Sequence, residues 1–206
     1  MRSQIGELVG KNIVVYDLEI KNLVGSVVDG KKIGWDNHDK MGISCGVAYH
    51  YKTGDYTVFM DDNIQELGRL LNQAEMVVAF NQVAFDNPLL RASGVDLKSD
   101  SGLNNFDMLE ESRLAIGWTP SQRFPRGCKL DDHLKATFGA DFMKTEHGSE
   151  APKMYQEGRI GELISYCLAD VARERALFEY IWVNGIAFTE SHGVHHFVNH
   201  PRKSLT

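Results

Sequence analysis

Two carboxylates one residue apart close an apolar run near the start of the chain, Val14-Val15-Tyr16-Asp17-Leu18-Glu19. If the run is a strand, residues i and i+2 share a face, so Asp17 and Glu19 stand side by side where like charges repel. Water at a strand end relieves that repulsion, and so does a cation held between the two. Two further stretches supply carboxylates. In Asn81-Gln82-Val83-Ala84-Phe85-Asp86, Asn81 closes a second apolar run and Phe85-Asp86 sits one turn into the following helix. In Tyr166-x-x-x-Asp170 the i, i+4 spacing puts a phenol and a carboxylate on one helix face. Carboxylates drawn from three places, Asp17, Glu19, Asp86 and Asp170, suit a hard divalent cation such as Mg²⁺ or Mn²⁺. Two such ions about 3.5–4 Å apart activate water and stabilise the departing oxygen in displacement at phosphorus.

The elements that must carry these residues follow from pattern. Val14 to Leu18 reads as a first strand, and the glycine- and charge-rich stretch from Ile20 to Lys40 as a long excursion. Gly42–Tyr51 and Tyr56–Met60 read as two strands joined by a turn over Lys52–Asp55. Ile64, Leu67, Leu70 and Leu71 have helical spacing, with Asp61 or Asp62 as N-cap. Glu75–Asn81 reads as a buried strand, Val83–Gly94 as a helix, and Asn104–Leu109 as a strand leading into a helix over Glu110–Ile116. Helices follow over Lys129–Gly139, over Ser149–Gly158 with Pro152 near its start, and over Ile160–Gly185. Residues 186–206 show no period and read as an irregular tail. The order predicts an α/β fold, with a leading antiparallel meander, parallel strands after it and helices on the faces.

The 206 residues suffice for one domain, with a core over about 11–185. A hydrophobic share of 43% and a charged share of 24% are those of a globular chain. No apolar run is long enough to span a bilayer, and the first residues lack a signal-peptide core, so a cytoplasmic protein without a membrane partner is expected. Cys45, Cys128 and Cys167 are too scattered for a metal cage and odd in number, so reduced, partly buried thiols are expected. A net charge of −6 excludes a nucleic-acid binder that works by bulk attraction. Any such contact must be local or cation-assisted.

The ordered set Asp17-x-Glu19, Asn81-x-x-x-Phe85-Asp86 and Tyr166-x-x-x-Asp170 resembles the DEDD, or DnaQ-like, 3′–5′ exonucleases, which have a ribonuclease H-like fold. Ser165 stands where the histidine subclass would need its His, so the chain looks like the tyrosine subclass, DEDDy. In appearance it is similar to the proofreading domains of family B DNA polymerases over about residues 13–181. The resemblance implies a ribonuclease H-like mixed five-stranded sheet flanked by helices, with Asp17, Glu19, Asp86, Tyr166 and Asp170 as catalytic residues. It implies two Mg²⁺ or Mn²⁺ ions held by the four carboxylates. Asp17, Glu19 and Asp170 would hold the ion that carries the attacking water, and Asp17 would reach the second, with Asp86 supporting it. Tyr166 would orient that water, because a phenol titrating near 10 is a poor base at neutral pH. Single-stranded DNA is the expected substrate and nucleoside monophosphates the product. RNA is the alternative substrate, and a separate polymerase or a replication or repair protein is a possible partner. Rival classes are a ribonuclease H-type endonuclease and a non-catalytic nucleic-acid or polymerase-binding module. Many relatives carry Thr or a small residue after the Glu, where this chain has Ile20.

Around this set lie substrate-binding candidates. Leu18 and Ile20 flank Glu19, Asn81 could hold backbone or substrate, and Phe85 could flank a base, with core packing its simpler role. Arg123, Arg126 and Lys129 are interleaved with Trp118 and Phe124, a mixture that suits stacked bases and phosphates but also an ordinary polar loop. Lys144, Lys153 and Arg159 could extend that surface. Asp107 reads as a helix cap or a supporting residue. His192, His195, His196 and His200 read as a surface tail with incidental metal affinity.

Overall fold

The computed structural model describes residues 2–119, 121–142, 150–197 and 199–205. In chain order the elements are α1 (Arg2–Gly6), β1 (Ile13–Ile20), β2 (Val27–Val28), β3 (Lys31–Lys32), α2 (His38–Met41), β4 (Ile43–His50) and β5 (Asp55–Phe59). They continue with α3 (Ile64–Gln73), β6 (Met76–Ala79), α4 (Asp86–Ala92), β7 (Asn105–Asp107), α5 (Met108–Ala115) and α6 (Leu130–Phe138). The last are α7 (Glu150–Gln156), α8 (Ile160–Asn184), β8 (Ile186–Thr189) and β9 (Gly193–His196).

Five strands form one mixed sheet in the order β5-β4-β1-β6-β7. β4 pairs antiparallel with β1 and β5, whereas β1, β6 and β7 run parallel. This is the ribonuclease H-like arrangement expected from the sequence. β1 is central and buried on both faces, which is why it is an unbroken apolar run rather than an alternating one. Ile13 and Val15 face a cluster with Leu163, Cys167, Val171 and Phe178 of α8. Val14, Tyr16 and Leu18 face Leu67 and Leu71 of α3 and Leu89 and Leu90 of α4. Each fully buried aliphatic side chain contributes about 1.5–3 kcal/mol, so β1 anchors both layers. α8 ends where Gly185, at φ +68°, donates its N–H to Ile181 O at 2.7 Å.

Three expectations change. The excursion after Ile20 carries short elements of its own: β2 and β3 pair, and Ile33 and Met41 are buried in the α3–α4 layer. Its two ends are tied by Lys21 N–H to Gly42 O and Asn22 N–H to Met41 O, both 3.0 Å. α3 starts after Asn63, which makes no side-chain cap, so neither Asp61 nor Asp62 is its N-cap. Asp61 instead receives Lys21 Nζ at 2.7 Å. The last stretch is not irregular, because β8 and β9 form a hairpin with Ala187, His195 and Phe197 buried. Two of its inward positions, Thr189 and His195, are polar, which hides the strand period. Among the described residues no helix is long and apolar enough to cross a membrane.

Candidate metal centre

β1 runs on past its parallel partner. β6 pairs with it only over Ile13–Val15, so the stretch from Tyr16 to Ile20 has an open flank. The pairing with β4 also slips between Glu19 and Ile20, an irregularity that re-aims side chains at the strand end. A pocket of about 430 Å³ opens there, lined by Asp17, Leu18, Glu19, Ile20, Phe85, Tyr166 and Asp170 among others. Seven of the residues singled out in the sequence therefore meet at one place.

Asp17 and Glu19 point toward α8, where Cys167 stands behind them. One ligand atom from each of these three residues lies within 4.8 Å of the others, the one such cluster among the described residues. The Cys167 thiol donates to the Asp17 carbonyl at 3.5 Å. Burial pushes that thiol well up, with Cys45, Asp17 and Glu19 adding to the effect, so it stays protonated. A protonated thiol is a poor ligand. The donor set that remains is oxygen from carboxylates, and it fits a hard divalent cation.

Asp86 reaches β1 from the opposite layer. It is the first residue of α4 rather than one turn inside it, because Asn81–Phe85 form a turn closed by Phe85 N–H to Asn81 O at 3.0 Å. Asn81 is in the left-handed region at φ +81°, strained for a residue with a Cβ and tolerated best by Asn. Asp107 holds this turn. Its carboxylate accepts from Asn81 N–H (2.9 Å) and Val83 N–H (3.1 Å), while capping α5 through Leu109 and Glu110 N–H. The sequence-expected cap and supporting roles are thus the same side chain. Tyr16 completes the clamp by donating to Asn87 Oδ1 at 2.7 Å, and Asn87 in turn donates to Asp100 at 2.8 Å.

The electrostatics of the site are those of crowded negative charge. Burial pushes the Asp86 carboxyl well up, and the charges of Asp17 and Asp107 push it further; N–H groups of Asp86 and Leu18 oppose this. Burial likewise raises the Tyr16 phenol, reinforced by Asp86, Asp107, Glu174 and Asp17. Glu174 is a buried carboxylate missed in the sequence. Its signal was present, since Tyr166, Asp170 and Glu174 succeed one another every four residues along α8. The cation of Arg173 also escaped notice; it pairs with Asp170 at 3.0 Å.

The remaining candidates divide. Arg126 and Lys129 line a groove of about 870 Å³ with Asn81, Trp35 and an unforeseen Arg113. Arg123 is exposed and lines neither this groove nor the pocket. Trp118 and Phe124 stack on each other at 5.3 Å with the Arg113 guanidinium over Phe124 at 4.3 Å. Lys153 faces Glu150 at 4.0 Å, and Arg159 is bound by Glu157 and Glu162, each at 2.8 Å. Neither cation lines the pocket or the groove. Lys144 lies outside the described residues. His195 is not a surface residue: it is buried, with Nδ1 2.8 Å from Ser112 Oγ and Nε2 2.9 Å from Thr189 Oγ1.

No protein-family model matches the chain. No curated protein matches it significantly either. Among solved structures it is similar to the family B DNA polymerase from the hyperthermophilic archaeon Pyrobaculum calidifontis, with a TM-score of 0.57 and 17% identity over 82% of this chain. The fold is ribonuclease H-like. The chain spans 24% of that polymerase, and at this identity the likeness is one of fold.

Proposed function

We propose that this protein is a metal-dependent 3′–5′ exonuclease of the DEDDy type that hydrolyses the terminal phosphodiester of single-stranded nucleic acid, DNA first. The observation that carries the reading is the meeting of Asp17, Glu19, Tyr166 and Asp170 in one pocket at the open flank of β1, with Asp86 held over the same strand. A single cluster that could hold a metal stands among the described residues, and a second ion belongs to the proposal through Asp86. When bound, the divalent ions supply activation of water and stabilise charge on the departing oxygen.

The chain's own residues do the rest. Asp17, Glu19, Asp86 and Asp170 bind the ions, and the crowding that burdens the metal-free site favours cation binding. Tyr166, buried in the pocket wall, orients the attacking water through its phenol. Leu18, Ile20 and Phe85 form the apolar side of the pocket and exclude bulk water from the terminal nucleotide. Asn81 holds the turn that delivers Asp86, as well as lining the groove.

The test is digestion of 5′-labelled DNA and RNA oligonucleotides, single- and double-stranded, with Mg²⁺ or Mn²⁺. Stepwise loss of single nucleotides, abolished in Asp17→Asn, is expected. Internal cuts would mean a ribonuclease H-type endonuclease, and binding without products a non-catalytic module.

A further inference from the structure

Two cavities of opposite charge adjoin at one side chain. The pocket at the end of β1 is lined by the carboxylates of Asp17, Glu19 and Asp170, with no cation in its described lining. The neighbouring groove is lined by Arg113, Arg126 and Lys129, with no carboxylate in its described lining. Trp35 lines both. It is 70% exposed, a costly placement for an indole whose only office was packing.

The placement is built. Trp35 sits in the turn Gly34–Asn37, closed by Asn37 N–H to Gly34 O at 3.2 Å and by Gly34 N–H to Asn37 Oδ1 at 2.8 Å. Ile33 on one side and Met41 on the other bury the base of the excursion in the core. Its ring meets Phe85 edge-to-face, with centroids 6.3 Å apart and planes 68° apart. Behind the groove, the loop bearing Arg126 is held from the far end of the chain. His192 Nε2 is 2.8 Å from Arg126 O, and a Cβ on Gly127, at φ +73°, would collide with Ser191.

We infer that Trp35 is a stacking platform for a base of single-stranded nucleic acid, at the point where the strand leaves the acidic pocket and enters the basic groove. The inference rests on the exonuclease reading for the direction of the strand. A polyanion whose reacting phosphate is served by bound cations still needs protein cations for the phosphates that follow. The groove provides them locally, in a chain whose net charge is −6. An aromatic face at the junction stacks with any base, independent of sequence.

The experiment is fluorescence anisotropy of 5′-fluorescein (dT)₁₀ and (dT)₂ with the full chain in EDTA, where binding needs no metal. Trp35→Ala should bind (dT)₁₀ roughly 5- to 100-fold more weakly, while Trp35→Phe stays within a few-fold of the native chain. Neither should change (dT)₂ binding by as much. Unchanged (dT)₁₀ affinity in a folded Trp35→Ala overturns the inference. So does a native chain that releases nucleotides in Mg²⁺ with no groove binding in EDTA, a result that leaves the exonuclease reading standing. Trp35-dependent binding without nucleotide release in any metal upholds the platform and removes the exonuclease.

Discussion

Arg173 donates from Nη1 to Asp170 Oδ1 at 3.0 Å, less than one turn further along α8. The carboxylate is buried at 1% exposure, so the guanidinium offsets a charge that solvent cannot reach. Any cation that takes Asp170 as a ligand must compete with this partner. Arg173→Gln should therefore destabilise the protein in EDTA by about 1.5–3 kcal/mol, the range for a hydrogen bond to a charged group. The deficit should narrow in Mn²⁺, because the metal takes over the neutralising role. Thermal melts of both proteins, with and without the ion, read this directly; equal deficits in the two conditions would remove Asp170 from the ligand set.

Divalent metal should stabilise the native chain by relieving the repulsion among Asp17, Glu19 and Asp86. At a hundred times the dissociation constant a ligand of the folded state adds about 2.7 kcal/mol. A rise in Tm with Mn²⁺ or Mg²⁺, lost in Asp17→Asn, is the expected result of a titration. Asp17 is the sharpest position to test, since its carboxylate belongs to the cluster with Glu19 and its charge acts on Asp86.

Asp86→Asn should separate stability from function. Burial and the acidic neighbours Asp17 and Asp107 disfavour the ionised form of the native carboxyl, and an amide of the same shape removes that cost. Melting in EDTA should occur at the same or a higher temperature than for the native chain. The metal-dependent stabilisation should shrink. A large drop in Tm would show that the carboxylate's bonds to backbone N–H outweigh its repulsion.

Asp107 serves four backbone N–H groups in two segments. Asp107→Ala leaves several of them without an acceptor, each at about 1–3 kcal/mol. Urea unfolding should show a loss of several kcal/mol. Asp107→Asn, whose one amide oxygen in the place of Oδ1 still accepts from Asn81, Leu109 and Glu110 and loses only the acceptor for Val83, should recover part of it. Equal stability of the alanine variant would mean that the turn at Asn81 is held by other contacts.

Acid should weaken the packing of the C-terminal hairpin. Burial and the neighbouring His195 push His133 down to about 3, and its Nε2 lies 2.8 Å from Ser112 Oγ, which also contacts His195. In the unfolded chain the imidazole takes its proton near 6.5. Stability is therefore complete above about pH 6.5 and falls as pH drops toward about 3, by at most about 5 kcal/mol. Chemical denaturation at pH 7, 5.5 and 4 should show this slope, and His133→Gln should flatten it.

Local pattern determined a good deal of this protein. The apolar runs of β1, β4 and β6, the helical spacings of α3, α6 and α8 and the turn before β5 are short-range signals, and they sufficed for a mixed sheet with a leading antiparallel meander; that the sheet is ribonuclease H-like was implied by the resemblance of the ordered motifs. The carboxylate set was equally legible, because Asp17 and Glu19, or Tyr166 and Asp170, are neighbours whose spacing is set by one element's geometry. Tertiary structure alone decided the rest. Trp35 and Arg113 join the site from segments with no chemical pattern of their own, and Arg123, beside Arg126 in sequence, is left outside. His195 looked like a surface histidine until Ser112, 83 residues away, and Thr189 closed around it. A polar side chain carries no periodic mark of burial. Its place is set by the partners that satisfy it, and these come together only when distant strands and helices pack.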